Sequence, residues 1–301
     1  MYTGPTGSLP AATALPPQTP AAQTGRIFRL GLFVLFLACS LVVFVLSSSY
    51  YDIFPTNNDT GFQAAVTAAL LAAALLLKQH GRLNKYWPVA FAFFVASFAQ
   101  FFSTYFVGWT DQVMRSLGVT GASPQGMATS KVLEACRMVL PILVLVKLSG
   151  ADLGSLYLKR GNLKFAVLLG LGVLVNYASS VLLFFGTKYT DLDRLGAVMI
   201  CGLVFSLANA FMEELWLRGL FQKRLQPLLG GTGTVLLTSL WFALMHAGAV
   251  YFMPAAIPIF LVNTFTLGLA CGYIILKTGN LWGATLIHAA ADWFLFIAIL
   301  G

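Results

Sequence analysis

The chain has 301 residues, of which 58% are hydrophobic and only 9% charged, and its mean hydropathy is +0.83. Too few polar side chains remain to cover a globule, which excludes a soluble domain and indicates a polytopic membrane protein. The formal net charge of +8 comes from cations placed between apolar runs. It reads as an orientation signal and as contact with anionic lipid head groups, not as a nucleic-acid surface.

Residues 1–25 hold five prolines and no charge, the composition of a disordered tail. Nine apolar runs follow, at roughly 30–47, 62–78, 86–107, 129–147, 163–185, 195–217, 233–250, 255–276 and 281–300. A bilayer core needs about 20 residues per helix, so the expected fold is an all-α bundle of about eight to nine transmembrane helices. With nine alternating spans, the basic groups Arg26/Arg29, Lys78/Arg82/Lys85, Lys147, Lys159/Arg160/Lys164, Arg218/Lys223/Arg224 and Lys277 share one side. The positive-inside rule makes that side cytosolic, with the N-terminus. The expectation is thus an integral multi-pass protein, in a plasma or inner membrane in a bacterium and in an ER-type membrane in a eukaryote.

No internal repeat is visible, which argues against a transporter built from duplicated halves. A turn-rich basic stretch near 150–164 divides the chain into N-terminal membrane helices, 26–150, and a C-terminal core, 151–301. The four cysteines lack paired spacing and suggest neither disulfides nor a zinc ribbon. Gly268 and Gly272 form a GxxxG, and Gly170 and Gly172 lie close together; both read as points of close helix approach.

Titratable groups concentrate in the last four runs. Only three glutamates exist, Glu134, Glu213 and Glu214, and only three histidines, His80, His246 and His288. Ionisable groups inside the hydrocarbon are costly and by default face the protein interior, where they become functional candidates. In FMEELWLRG, Glu214 and Arg218 are four apart and about 40° apart in azimuth, whereas Glu213 is about 140° from Arg218. Arg218 is therefore expected to neutralise Glu214. Glu213 is left free to accept a proton, with Asn209, one turn earlier, as its hydrogen-bond partner. Phe242 and His246 are four apart, an aromatic wall beside an imidazole. His288 and Asp292 are also four apart, so that the carboxylate can orient the ring.

The ordered set EExxxR (Glu213, Glu214, Arg218), FxxxH (Phe242, His246) and HxxxD (His288, Asp292) resembles the CPBP family of intramembrane proteases, also called Abi or type II CAAX prenyl endopeptidases. The stretch from Asn263 to Asn280 is similar to that family's glycine-bearing helix, and the resemblance runs from about Gly154 to the C-terminus. It implies an endopeptidase core acting on a membrane-associated or lipidated protein or peptide. Glu213 and His246 would activate a water there, and His288 and Asp292 would serve the oxyanion. Glu214, Arg218, Phe242 and Asn209 would support them. Many members carry Asn at the position of Asp292. An ionised Asp cannot donate to an oxyanion, so this departure favours a role in orienting His288.

No cofactor is required by this reading, but a zinc mechanism with Glu213, His246 and His288 as ligands stays open, since His₂Glu is a catalytic zinc set. The alternatives are a catalytically silent scaffold or immunity-type membrane protein and a proton-coupled transporter. The expected partners are membrane lipids and a membrane-associated substrate.

Overall fold

A computed structural model describes residues 25–47, 59–185, 192–248, 255 and 257–300. Of the tail expected over residues 1–25, residues 1–24 lie outside that range. The described residues are helical, with no strand among them. They form α1 (Arg26–Ser40), α2 (Asp59–Gln79), α3 (Trp87–Tyr105), α4 (Val107–Ser116), α5 (Pro124–Leu148), α6 (Leu163–Phe185), α7 (Leu192–Glu214), α8 (Leu220–Met245), α9 (Ile257–Thr278) and α10 (Trp282–Leu300). Two π-helical turns join them: Leu41–Leu46 prolongs α1, and Leu215–Gly219 links α7 to α8.

Among the described residues, five stretches are long and apolar enough to cross a membrane: Arg26–Leu46, Thr60–Gln79, Asn84–Tyr105, Leu195–Gly248 and Ile257–Thr278. The apolar stretches in α6 and α10 are shorter, Leu163–Asn176 and Trp282–Ile297. In α5, the charges Lys131, Glu134, Arg137 and Lys147 interrupt an otherwise long apolar helix. Between α3 and α5 the chain forms α4, a ten-residue helix too short to span.

The Leu195–Gly248 stretch has 54 residues. As one straight helix it would be about 80 Å long, against a hydrocarbon core of about 30 Å. It folds back instead at Gly230, whose φ of 74° and ψ of 171° lie outside the helical region. The sequence ends the sixth span at 217, but the helix runs on across the π-turn to Leu229 before this break. Residues equidistant from the turn then meet. The rings of Phe221 and Trp241 are 5.0 Å apart, and the Arg218 guanidinium lies 4.4 Å from the centre of the Phe242 ring.

The core draws on residues from both sides of position 150. Phe44 of the first π-turn packs edge-on against Trp216 of the second, with centroids 4.8 Å apart, and Phe93 of α3 meets Phe221 at 4.7 Å. The Trp216 indole N–H also donates to the Ala96 carbonyl at 3.1 Å, tying α3 to the π-turn. In the connector, Asp152 caps the 3₁₀ turn Leu153–Leu156, and the Tyr157 carbonyl accepts from the Leu281 N–H at the entry to α10.

The glycine expectations divide. A Cβ at Gly268 would stand 3.0 Å from Ser239 and from Arg218 Nη2, and one at Gly272 would stand 3.0 Å from Val235, so the GxxxG does seat α9 against α8. A Cβ at Gly170 would strike Leu286, but at Gly172 nothing lies within 4 Å. Gly172 therefore does not mark a close approach.

Candidate active site

The site is built on the hairpin around Gly230 and closed by α10. Glu213 and Glu214 end α7, and Arg218 sits in the π-turn that follows. The Glu214 and Arg218 side chains are both fully buried, with Nη1 donating to Oε1 at 2.7 Å. The guanidinium also lies on the face of Phe242, a cation–π contact that recovers part of the hydration it has lost. Its Nε and Nη2 have no hydrogen-bond partner among the described residues. Absence of a side chain at Gly268 leaves space for Nη2.

His246 follows α8, sixteen residues past Gly230, while Glu213 lies seventeen before it. A hairpin turned at Gly230 therefore brings them to the same depth. With the helix taken to start at Gly233, sequence arithmetic puts His246 about 20 Å deep and Glu213 about 15 Å; moving the turn to Gly230 removes that mismatch. His246 Nδ1 is 2.7 Å from the Phe242 carbonyl, which can only accept, so Nδ1 carries the hydrogen. Nε2 is turned to Glu213 Oε2, at 3.9 Å.

His288 enters from α10. Its Nδ1 is 3.0 Å from Glu214 Oε1, again an acceptor, and its Nε2 faces Glu213 Oε2 at 3.7 Å and Asp292 Oδ1 at 3.6 Å. Both imidazoles thus present Nε2 to the same oxygen of Glu213. That oxygen is buried and has no hydrogen-bond partner among the described residues. Phe242 separates and orients the two rings, standing 4.6 Å from His246 and 5.1 Å from His288 in edge-to-face geometry.

The structure brings together all eight residues singled out by sequence but redraws three of their links. Asn209, expected on Glu213, instead donates from Nδ2 to Asp292 Oδ2 at 2.9 Å. Across from α7, Asp292 is the acceptor that this face of the helix meets. Asp292 was expected to orient His288, yet 3.6 Å is too long for a hydrogen bond. Glu214 holds that ring instead, while also pairing with Arg218, so it is not a purely structural partner of the arginine. Such contacts join different helices and leave no trace in i,i+4 spacing. Trp216 is a further residue that the sequence did not single out. Its only signal is an aromatic placed between the two halves of the motif.

The donor set stands wider than a tetrahedral metal requires. Ligands about 2.0–2.2 Å from zinc stand about 3.4 Å from one another, and the separations of Glu213 from the two histidines are 3.9 and 3.7 Å. Among the described residues, no three His, Cys, Asp or Glu side chains are arranged to hold a metal ion.

Residues 195–294 match the family model described as type II CAAX prenyl endopeptidase Rce1-like. No curated protein and no solved structure matches the chain. The matched segment contains all eight site residues.

Proposed function

We propose that the chain is an intramembrane endopeptidase in which Glu213 is the general base and the two histidines handle the charge and the proton. The observation that carries this reading is the convergence of both Nε2 atoms on one buried, unpartnered oxygen of Glu213. A water held between Glu213 Oε2 and His246 Nε2 is within hydrogen-bond reach of both. Glu213 takes its proton as the oxygen attacks the scissile carbonyl, and the proton is then returned to the leaving amine as the C–N bond breaks. His288, as an imidazolium, donates from Nε2 to the oxyanion of the tetrahedral intermediate. Glu214 keeps Nδ1 of that ring as the other donor, and Arg218 balances Glu214. Asp292, held by Asn209, adds negative charge on the far side of Nε2. The substrate class is a membrane-associated or lipidated protein or peptide, because the site opens from helices that are themselves apolar.

The test compares peptide termini in membranes holding the wild-type protein or Glu213→Gln, each with and without a chelator. New termini that require wild type and survive chelation are the expected result. Termini lost on chelation would return Glu213, His246 and His288 to the role of zinc ligands. Identical termini in both membranes, with both proteins folded, would move the chain to a silent scaffold.

A further inference from the structure

A second polar feature lies outside the catalytic hairpin. A cavity of about 270 Å³ is bounded by Trp87, Pro88 and Phe91 at the start of α3, by Ser149 after α5, and by Arg224 of α8. Arg224 uses Nη1 to donate to the Leu220 carbonyl at 2.6 Å, and it forms no ion pair with any carboxylate among the described residues. No acidic residue lines the cavity. A second cation stands at its edge, where Lys78 Nζ lies 4.9 Å from the centre of the Trp87 ring.

A guanidinium without an ion-pair partner and a lysine beside one cavity make an anion site. Its position selects the anion. The cavity lies where Lys78, Lys85, Lys147 and Arg224 gather, the end that the charge distribution marks as cytosolic. On α5, Leu140, Val144 and Leu148 are four residues apart and 59%, 53% and 78% exposed, a track that ends one residue before Ser149. A free anion has no use for such a track, whereas an acyl chain covers it. Trp87 at the rim is the residue type enriched at head-group level.

We propose that this cavity binds the head group of an anionic phospholipid, with Arg224 and Lys78 holding the phosphate and an acyl chain lying along the exposed face of α5.

The full-length protein in detergent is titrated with phosphatidylglycerol or phosphatidylcholine of matched chains, and retained lipid is counted by native mass spectrometry. Wild type should retain phosphatidylglycerol preferentially. Arg224→Gln should weaken that retention about fivefold, the size expected for one basic group near a membrane surface, and Lys78→Gln by less. Lys223→Gln, an exposed neighbour outside the cavity, should leave it unchanged. Because Lys78 is exposed, its variant stays informative even where Arg224→Gln folds poorly. Equal retention of the two lipids, or the same loss from Lys223→Gln as from Lys78→Gln, would overturn the proposal. So would inorganic phosphate raising the melting temperature as far as phosphatidylglycerol does, which would make this a soluble-anion site.

Discussion

The N-terminal helices and the Gly230 hairpin both place polar groups in apolar surroundings, and they treat them in opposite ways. Around α1, α2 and α3 most buried polar groups are neutral, the exception being Arg137 of α5, whose Nε donates to Ser103 Oγ of α3 at 3.4 Å. Gln63 Nε2 donates to the Ser47 carbonyl at 2.6 Å, Gln100 donates to the same carbonyl, and the Thr67 and Ser97 hydroxyls bond at 2.7 Å. Around Glu213 the groups are ionisable, come from three helices, and converge on an oxygen with no partner of its own. Neutral pairs hold helices together without a charge to compensate. A converging charged set with one open position is costly to bury and is retained where chemistry needs it.

The largest effect should come from that open position. Glu213→Gln keeps the shape and removes the proposed base, so cleavage measured by termini counting should fall on the order of 10³-fold while the melting temperature stays close to wild type. A similar fall for a substitution among the N-terminal amides would erase the distinction between the two regions. Arg218→Ala acts on both stability and activity. It leaves Glu214 buried and without its cation and strips one face of Phe242, a loss of about 3–5 kcal/mol. Thermal unfolding in detergent should show it clearly, and an unchanged melting temperature would mean that the buried pair carries no stability.

Asp292→Asn comes next. Glu214 already orients His288, and an asparagine can still meet Asn209, so folding should be unaffected and turnover should drop by only about tenfold. Raised turnover would instead make hydrogen-bond donation to the oxyanion the role of this position.

Much of this was readable from the sequence, for reasons that also mark where reading stops. The i,i+4 rule paired Glu214 with Arg218, and Phe242 with His246, because those partners lie one turn apart, and the rarity of Glu and His in so apolar a chain drew attention to the hairpin that gathers them. The rule says nothing across helices. Glu214 to His288 and Asn209 to Asp292 are separated by 74 and 83 residues, and their pairing depends on how α10 docks against α7. The π-turns at Leu41–Leu46 and Leu215–Gly219 were equally hidden, since one extra residue in a helical turn leaves hydropathy unchanged. Glycine spacing failed at Gly172 for a related reason: a small residue permits a close approach but does not bring a neighbour to it.

Trp216 connects the two regions and gives a smaller effect. Trp216→Phe keeps an aromatic ring against Phe44 but removes the bond to the Ala96 carbonyl, for a loss of about 1 kcal/mol. Because this bond fixes the π-turn between Glu214 and Arg218, turnover should fall together with stability, by several fold. A melting shift with full turnover would show that α3 supports the hairpin without setting its geometry.

The smallest effect is expected one turn along the same helix, at Gln100. Gln100→Leu removes one of two donors to the Ser47 carbonyl, so the acceptor keeps Gln63 and is not left bare. It also removes a buried Oε1 that has no hydrogen-bond partner among the described residues. Losing a shared bond and an unsatisfied oxygen together should change stability by less than about 1 kcal/mol in either direction, with turnover intact. Chemical unfolding followed alongside termini counting measures both. A tenfold loss of turnover at unchanged stability would place this amide pair in communication with the Glu213 site and break the division between a mostly neutral half and a charged, open one.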